Sequence, residues 1–366
     1  MTGFNDHDRE HMLRALELAA CGLFTSTPNP RVGCVIVRDE RTIGEGWHER
    51  AGEAHAEVKA LDAARAGGET TRGATAYVTL EPCNHHGRTP PCTDALLAAG
   101  IARVVAAMRD PNPAAAQGGD RLLAAGVAVA FGLCEAEARE LNIGWIHRLA
   151  TGRPWVRVKI AASLDGKTAL DNGASQWITG AAARADGHRW RARACAILTG
   201  VGTVLQDDPR LTVREVETSR QPLRVVVDRD GELPATARLL EHGAVLVVSA
   251  AAPKRTWPAN VRHVLLPGPD GRVDLAAMLA LLAAEGINEL HVEAGAKLNG
   301  ALLAAGLVDE LLLYLAPCLV GDPARGMFAL PSALSQLAQR VRLVIQDGVH
   351  VGEDWRFLAR VTREGD

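Results

Sequence analysis

The chain has 366 residues, of which 48% are hydrophobic and 23% charged, and its formal net charge is −3. This length predicts two domains, and the composition excludes a disordered chain because each half can bury a core. Charges of both signs are mixed along the sequence, so we expect no nucleic-acid partner. No stretch approaches the roughly 18 apolar residues of a membrane span, and the polar start MTGFNDHDRE is not typical of a signal peptide.

Seven cysteines are scattered at positions 21, 34, 83, 92, 134, 195 and 318. An odd number, spread over a chain of this length, is not typical of a disulfide framework. We therefore expect a cytoplasmic, reducing setting, in which free thiolates can serve as metal ligands.

The first half alternates helices and strands. Residues 8–24 have helical periodicity, and a hairpin of two strands follows. The predicted elements are strands at 32–37, 42–47, 74–80, 102–107 and 127–131, and helices at 54–66, 114–125 and 135–149. Such alternation predicts an α/β layer domain over residues 1–149, and the polar break at 148–154 is the predicted linker.

A short pattern in this half is suited to zinc chemistry. His55 can bind a metal through a neutral imidazole, and Cys83 and Cys92 can bind as thiolates. One imidazole and two thiolates leave Zn²⁺ without net charge, so the metal activates water less than an all-histidine site would. A separate base is then needed, and we expect Glu57 to take the proton of the water and return it to the leaving amine. This H-x-E…P-C…C pattern is typical of zinc nucleobase deaminases.

The two cysteines are separated by eight residues, Asn84–Pro91, whereas the short form of the pattern has two. The insert ends with Thr89 as the predicted N-cap and Pro90 as the first residue of a helix that runs through Leu97. Cys92 would then lie in the first turn of this helix, where the helix dipole favours a thiolate.

A structural zinc site is the alternative interpretation of the same residues. Such a site usually closes with a fourth protein ligand, which His85 or His86 could supply. A closed site gives Glu57 no role, so the sequence favours a catalytic site.

Two more polar residues lie near the predicted cleft. Asn29 stands between Pro28 and Pro30, which fix the backbone on both sides. It is either a turn residue or a rigidly held amide that binds the substrate, and the sequence leaves both interpretations open. His48 ends a predicted strand, and we expect it to face solvent.

The second half, residues 150–366, also mixes strands and helices. Predicted strands lie at 155–162, 196–199, 224–227, 245–249, 263–266, 289–292, 309–316, 340–345 and 355–361, with helices at 181–193, at 274–284 and after the turn at 293–300. Lys159 lies on the first of these strands. Because a lysine is costly to bury without a partner, we expect it to contact the substrate.

A glycine pair after one strand invites a dinucleotide-binding interpretation. Gly200 and Gly202 match the start of the fingerprint, and Asp228 would be the ribose-binding acid. The third glycine is absent, with Leu205 in its place, and the segment carrying Pro209 is β-prone where a crossover helix is required. We therefore expect no Rossmann fold and no helix there.

Three stretches of the first half resemble the bifunctional deaminase/reductase family of riboflavin biosynthesis: TPNPRVGCVIV, AGEAHAEVKAL and TLEPCNHHGRTPPC. The eight-residue insert separates that family from cytidine and tRNA-adenosine deaminases. The resemblance continues through RDPNP at 109–113 and the second half, so it covers nearly the whole chain.

The resemblance implies a cytidine-deaminase-like three-layer α/β/α domain at 1–149 and a dihydrofolate-reductase-like α/β domain at 150–366. It implies Zn²⁺ and NADPH as cofactors and phosphorylated pyrimidines as substrates. The implied reactions are deamination of a diaminopyrimidinone ribosylamine phosphate and reduction of the ribosyl group of the product. The family forms homo-oligomers, so we expect a dimer or tetramer.

The resemblance also assigns site residues in the second half. The implied cofactor positions are Ala161, Trp177, Thr203, Asp207, Arg229, Gly295, Ala296, Lys297, Leu298, Asn299, Gly300 and Ala301. The implied substrate positions are Ser175, Arg191, Leu211, Arg214 and Glu293. The two arginines among the latter can bind phosphate oxygens by charge-assisted hydrogen bonds, and a helix start after Gly295 suits a cofactor phosphate.

Some of these positions also have a purely structural interpretation. Arg191 lies in a helix with three arginines that could be a solvated face, and the helix after Gly295 could be an ordinary capped helix. Arg229 departs from the residue type expected in the family.

Two other functions are compatible with parts of the sequence. One is a different nucleobase deaminase with a fused domain, which the long cysteine spacing disfavours. The other is a zinc-stabilised module that binds nucleic acid, which would need a basic face. The first half has Lys59 as its only lysine, so the sequence disfavours that module as well.

Overall fold

The structure of the protein is a computed structural model that describes residues 3–85 and 90–362. It divides into two compact units, Met1–Thr151 and Gly152–Asp366. None of the helices within the described ranges is long and apolar enough to cross a membrane.

Unit 1 is built on a mixed five-stranded sheet with helices packed against it. Its elements are α1 (Asp6–Cys21), β1 (Gly33–Arg38), β2 (Arg41–Trp47), α2 (Ala56–Ala66), β3 (Thr75–Val78), α3 (Cys92–Ala98), β4 (Arg103–Ala106), α4 (Gly118–Ala124), β5 (Ala128–Phe131), α5 (Glu135–Leu141) and α6 (Ile143–Thr151). The strand order is β2-β1-β3-β4-β5, with β1 antiparallel to both neighbours and the remaining pairs parallel.

Glycines on β2 allow α2 to approach the sheet closely. A Cβ atom on Gly44 would lie 2.2 Å from the carbonyl oxygen of Ala60, and one on Gly46 would lie 2.5 Å from the Ala60 nitrogen. Only glycine fits these two positions. The close packing fixes the N-terminal end of α2, which begins directly after His55.

The predicted helix at 135–149 is wrong, because Asn142 separates α5 from α6. The buried amide of Asn142 accepts a hydrogen bond from the Arg31 backbone N–H (2.8 Å) and donates one to the Arg31 carbonyl (2.9 Å). This side chain therefore pairs with the backbone of a distant loop and interrupts the helix. Because α6 continues to Thr151, the predicted linker at 148–154 shortens to 152–154.

Unit 2 contains a nine-stranded sheet. Its elements are β6 (Trp155–Ser163), β7 (Lys167–Ala169), α7 (Ala181–Arg193), β8 (Ala196–Gly200), α8 (Val201–Asp207), β9 (Leu223–Val227), β10 (Val245–Ser249), β11 (Val261–Leu265), α9 (Leu275–Ala284), β12 (Glu289–Val292), α10 (Ala296–Ala304), β13 (Glu310–Ala316), β14 (Arg325–Gly326), β15 (Leu343–Val351) and β16 (Asp354–Val361). The order is β11-β10-β9-β8-β12-β6-β13-β16-β15, while β7 and β14 form a separate two-stranded ribbon.

The seven strands from β11 to β13 in this order are parallel, and β16 and β15 complete the sheet in antiparallel pairing. Parallel pairing brings the carboxyl ends of β6, β8 and β12 to one edge of the sheet. Segments that follow such strand ends are where open α/β sheets place their binding sites.

The expectation of no helix between β8 and β9 is wrong. Val201–Asp207 form the short helix α8, and β8 and β9 pair in parallel around this crossover. Tertiary context outweighs the weak helix propensity of the segment, which ends where Asp208 takes a left-handed conformation before Pro209. Asp228 is fully buried and accepts the backbone N–H groups of Glu232 and Leu233, so it stabilises a turn.

Candidate active sites

Three potential metal ligands converge in unit 1. His55 is the N-cap of α2, Cys83 follows β3, and Cys92 is the first residue of α3. Nδ1 of His55 lies 3.2 Å from Sγ of Cys92 and 3.6 Å from Sγ of Cys83. The three ligand atoms lie within 4.8 Å of one another. The structure therefore brings together all three residues of the predicted zinc site.

The chemistry of the donor set fits Zn²⁺. Hydrogen bonds from the Cys92 thiol and the His55 imidazole lower the pKa of Cys83 to about 4, whereas the Cys83 sulfur and burial raise the pKa of Cys92. Two sulfurs this close can both be ionised only beside a cation. Among the described residues the ligand group has these three members and does not include His85, while His86 lies outside the described residues.

The start of α3 differs from the prediction. The helix begins at Cys92 with Pro91 as its N-cap, so Pro90 is not its first residue; Thr89 lies outside the described residues. The backbone N–H of Cys92 donates to Sγ of Cys83 (3.4 Å), and that of Thr93 donates to the Cys83 carbonyl (3.3 Å). The first amides of the helix thus hold the Cys83 loop, and Cys92 lies in the first turn as predicted.

Glu57 lies in the first turn of α2 and is 3% exposed. Its carboxylate is within hydrogen-bonding reach of Cys92, so it lies beside the ligand group. Burial raises the pKa of Glu57 to about 7. A divalent cation in the ligand group would favour the ionised carboxylate and oppose this effect.

His48 is buried, and the expectation that it faces solvent is wrong. The residue is 2% exposed, and its ring packs edge-on against the ring of His55, with centroids 5.3 Å apart. Nδ1 of His48 lies 3.2 Å from the carbonyl oxygen of Ala54, so it carries the proton, and Nε2 accepts from the amide of Asn29 at 3.1 Å. The backbone N–H of His48 donates to the Val32 carbonyl at 2.9 Å, which continues the pairing of β1 and β2 by one residue.

Asn29 is thereby connected to the metal ligands through His48. Sequence reasoning missed this role of His48, although its position directly after β2, seven residues before His55, was a usable signal.

In unit 2, Arg191 and Glu293 form a bidentate ion pair. Nε and Nη2 of Arg191 donate to the two Glu293 oxygens at 2.5 and 2.8 Å, and each side chain is 16% exposed. The alternative that Arg191 belongs to a solvated face is therefore excluded. Although burial opposes ionisation of Glu293, Arg191 and His291 hold its pKa well below its usual range.

Lys159 lies near this ion pair. Its Nζ is 5.7 Å from the centroid of the Tyr314 ring, and Tyr314 pairs with Ala161 across β6 and β13. Burial lowers the pKa of Lys159, whereas Glu293 opposes this effect. Lys159 and Ala161 lie on β6, and Glu293 directly follows the neighbouring strand β12.

The other predicted substrate positions are divided between surface and interior. Leu211 has a positive φ of 50° and a buried side chain. Arg214 is exposed, and Ser175 is half-buried. Of these three residues, Arg214 carries the charge, and its Nη1 donates to Oγ1 of Thr212 at 3.0 Å.

Several predicted cofactor positions converge where β8 and β12 end. A Cβ atom on Gly295 would lie 3.8 Å from Oγ1 of Thr203, and one on Gly200 would lie 3.5 Å from Cδ2 of Leu298. Gly295 is the N-cap of α10 and provides no side-chain hydrogen bond to the first turn. An uncapped helix start beside a glycine fits a phosphate group of NADPH.

The remaining cofactor positions vary in exposure. Trp177 is 69% exposed, with the guanidinium of Arg184 4.5 Å from its ring centroid. Asp207 is exposed at the end of α8, and Arg229 is exposed and paired with Asp230 at 2.7 Å. The positions Ala296, Lys297 and Ala301 lie on α10 and are half-buried or exposed.

Asn299 and Gly300 face the protein interior. The amide of Asn299 donates to the Ala294 and Met327 carbonyls at 3.2 and 3.4 Å. A Cβ atom on Gly300 would lie 2.0 Å from the Ala329 carbonyl oxygen. These two residues pack α10 against the segment at 327–329, and the open side of the helix start is formed by residues 295–298.

Comparisons with known proteins agree with this arrangement. Residues 5–108 match the family model for the cytidine and deoxycytidylate deaminase zinc-binding region, and residues 154–355 match the RibD C-terminal domain. The fold and the two sites therefore define a zinc-binding deaminase joined to a reductase of the NADPH-dependent kind. The predicted fold class and the predicted cofactors are confirmed.

The chain is 49% identical over 361 residues to the riboflavin biosynthesis protein RibD of Escherichia coli, covering 95% of this chain and 97% of that protein. RibD of Haemophilus influenzae is 43% identical over 369 residues, with 97% of each chain covered. Among solved structures, Acinetobacter baumannii RibD is similar with a TM-score of 0.89 and 43% identity, covering 98% of this chain and 99% of that one.

The structure of a diaminohydroxyphosphoribosylaminopyrimidine deaminase/5-amino-6-(5-phosphoribosylamino)uracil reductase from Thermotoga maritima has the same TM-score of 0.89, at 35% identity, with 97% of this chain and 99% of that one covered. This chain belongs to the RibD family of bifunctional deaminase/reductases of riboflavin biosynthesis.

Proposed function

We propose that residues 1–149 deaminate 2,5-diamino-6-(5-phosphoribosylamino)pyrimidin-4-one and release ammonia. We propose further that residues 150–366 reduce the ribosyl group of the product, 5-amino-6-(5-phosphoribosylamino)uracil, to a ribityl group with NADPH. The observation that carries the proposal is the buried Glu57 carboxylate beside the His55, Cys83 and Cys92 ligand group. The activities named for the Thermotoga maritima relative support the substrate assignment.

In the deaminase, His55, Cys83 and Cys92 would hold the zinc ion. A zinc ion held there would lower the pKa of a water molecule and would so supply the nucleophile at neutral pH. Glu57 accepts the proton of that water and donates it to the departing amine, since its carboxylate is close to the ligand group without belonging to it.

The side chain of His48 would fix the orientation of the zinc ligand His55. His48 packs against the ring of His55 and is itself held by Ala54 and Asn29. Metal-bound histidines are commonly oriented by such neighbours. We assign Asn29 to substrate binding as well, through the part of its amide that does not contact His48.

In the reductase, NADPH supplies the hydride, and the protein positions the nicotinamide against the sugar carbon. The cofactor would lie along Ala161, Trp177, Thr203, Asp207, Arg229 and the residues 295–301. Of that last group, residues 295–298 would meet its phosphate, because Asn299 and Gly300 face the segment at 327–329.

The phosphorylated pyrimidine would lie against Ser175, Lys159, Leu211, Arg214 and the Arg191–Glu293 pair. Arg214 is exposed and can donate to the 5′-phosphate. Glu293 retains lone pairs that can accept pyrimidine N–H groups while it is paired with Arg191. Buried Leu211 would contribute through its backbone.

A coupled assay on the purified full-length protein tests the two activities separately. Ammonia release from the diaminopyrimidinone is followed without NADPH, and loss of reduced-nicotinamide absorbance is followed with the deaminated substrate. Zinc is measured on the same sample. We expect both activities and one zinc ion per chain; ammonia release from a metal-free sample would contradict the deaminase assignment.

We propose that the protein forms a homo-oligomer, a dimer or tetramer, through the edge of the unit 2 sheet. The edge strand β15 exposes a row of apolar side chains, among them Val344 and Ile345, the latter 63% exposed. An exposed apolar edge is normally covered by a partner. Replacing Ile345 by lysine should shift the sedimentation coefficient to that of the monomer, whereas an unchanged oligomer would contradict this interface.

We also propose a cytoplasmic location. The seven cysteines are free in the structure, and two of them belong to the metal-ligand group. Thiolate ligands of this kind persist where thiols are kept reduced. Fractionation of cells that express the protein would test the location.

A further inference from the structure

The segment from Thr212 to Arg214, between α8 and β9, is held by side chains of α7. Nη1 of Arg191 donates to the Thr212 carbonyl at 3.1 Å, and the backbone N–H of Arg214 donates to Nδ1 of His188 at 3.2 Å. His188 and Arg191 are three residues apart, so they lie on the same side of α7. One helix face thus satisfies two backbone groups of the segment.

Val213, the residue between Thr212 and Arg214, is held by the side chain of Gln221. Oε1 of Gln221 accepts the backbone N–H of Val213 at 2.8 Å, and Nε2 of Gln221 donates to the Val213 carbonyl at 3.1 Å. A single amide group therefore pairs with both backbone groups of one residue, as a peptide of a neighbouring strand does.

These contacts follow the hydrogen-bonding pattern of a strand. In a strand, the backbone groups of alternate residues point to opposite sides, so Thr212 and Arg214 share one side and Val213 uses the other. Here side chains of His188, Arg191 and Gln221 take the place of the two neighbouring strands, and the segment itself lies outside the described sheets.

We propose that His188 and Gln221 are positioning residues of the reductase, which fix Leu211 and Arg214 against the phosphorylated pyrimidine. The proposal rests on the proposed function, in which those two residues bind that substrate. Leu211 precedes the held segment with a positive φ, and Arg214 ends it with an exposed side chain. Both residues lie outside the helices and strands, so the hydrogen bonds of Val213 and Arg214 to Gln221 and His188 fix the backbone beside them.

His188 must act as a hydrogen-bond acceptor at Nδ1, because its partner is a backbone N–H. Burial, Arg191 and Arg214 lower the pKa of His188 to about 4, so the ring is neutral and keeps this lone pair at neutral pH. A glutamine at this position also offers an acceptor oxygen, whereas a leucine of similar size offers none.

The test uses the full-length protein with His188→Leu, His188→Gln and Gln221→Met. Reductase kinetics are measured with 5-amino-6-(5-phosphoribosylamino)uracil and with NADPH, and amide hydrogen exchange is measured on a peptide spanning 212–214. Losing one such hydrogen bond and leaving a donor unpaired should raise the KM for the pyrimidine about tenfold. The KM for NADPH, kcat and ammonia release by unit 1 should change less than about twofold.

The expected pattern is faster exchange at 212–214 and a raised pyrimidine KM in His188→Leu and Gln221→Met, with both restored in His188→Gln. The inference is overturned if exchange is unchanged, if His188→Gln behaves like His188→Leu, or if both KM values rise together. Arg214→Ala tests the substrate contact separately from the positioning role. An unchanged pyrimidine KM in that variant would contradict the proposed contact of Arg214 with the substrate. Faster exchange in His188→Leu with an unchanged KM would overturn only the positioning role.

Discussion

Arg191 donates to both carboxylate oxygens of Glu293, from α7 to the end of β12, and the pair is largely excluded from solvent. The family resemblance implies a substrate contact for each of the two residues, and it does not imply that they pair with each other. Their pairing means that unit 2 contains a preformed charge-neutral unit at this position. In the proposed reductase site, the substrate would meet a Glu293 carboxylate that the Arg191 guanidinium already orients. A further nitrogen of Arg191 donates to the Thr212 carbonyl.

Replacing Arg191 by methionine should destabilise unit 2 strongly. The substitution leaves the Glu293 carboxylate buried without its partner, which costs about 3–5 kcal/mol when one half of a buried pair is removed. The unfolding transition of unit 2, followed by calorimetry on the full-length protein, measures the effect. Arg189→Met, on an exposed position of the same helix, is the control and should change stability by less than about 0.5 kcal/mol.

The double variant Arg191→Met/Glu293→Gln should recover part of this loss, because it removes the uncompensated charge. If Arg191→Met were as stable as Arg189→Met, the ion pair would make no measurable contribution to the stability of unit 2.

Glu57→Gln should abolish deamination and leave the rest of the protein intact. The amide can neither accept the proton of the water nor return it to the amine, so ammonia release should fall by about 10²–10⁴-fold. Zinc content and NADPH oxidation on the deaminated substrate should match those of the unmodified protein, because Glu57 is not a member of the ligand group. Deamination that survived this change would contradict the assignment of Glu57 as the base.

Cys92→Ser should release the metal from unit 1. The hydroxyl is a poor replacement for a thiolate ligand, and the remaining Cys83 and His55 are insufficient for a tight site. We expect loss of zinc and ammonia release with retained reductase activity. Cys134→Ser, at a buried cysteine outside the ligand group, is the control; equal zinc loss in both variants would indicate unfolding in place of ligand removal.

The zinc site could be predicted almost completely because its signal is local. His55 and Glu57 are two residues apart in the sequence. Cys83 lies in the loop after β3, and Cys92 begins α3, nine residues later. The chemistry required at each position restricts the residue type. The structure adds the distances that bring these residues together, but it does not change their identity.

Long-range contacts could not be predicted in the same way. The break at Asn142 depends on the backbone of Arg31, more than a hundred residues away in the sequence, and the burial of His48 depends on Asn29 and Ala54. The hydrogen bonds of His188 and Gln221 to the backbone of Val213 and Arg214 likewise join separate segments of the chain. No periodicity or motif encodes such pairs, because each depends on the tertiary arrangement of the chain.

A buried carboxylate in unit 1 predicts how stability depends on pH. Asp8, near the start of α1, accepts from Tyr77 (2.7 Å) and from two nitrogens of Arg103 (2.6 and 3.1 Å). The Arg103 guanidinium is the main cause that lowers the pKa of Asp8 from 3.8 to about 2. Because the pKa is lower in the folded state, the unfolded chain binds the proton first as the pH falls.

The stabilisation by Asp8 should therefore be complete above about pH 5 and should disappear as the pH falls through about 4 to 2. Asp8→Asn should cost unit 1 about 2 kcal/mol at pH 7, as the shift in pKa indicates, and the difference from the unmodified protein should narrow below pH 4. Urea unfolding at several pH values measures this. Asp62→Asn, at an exposed carboxylate paired with Arg65, should cost less than about 0.5 kcal/mol at any pH. A pH-independent difference for Asp8→Asn would show that its effect comes from lost packing or capping and not from the ionised carboxylate.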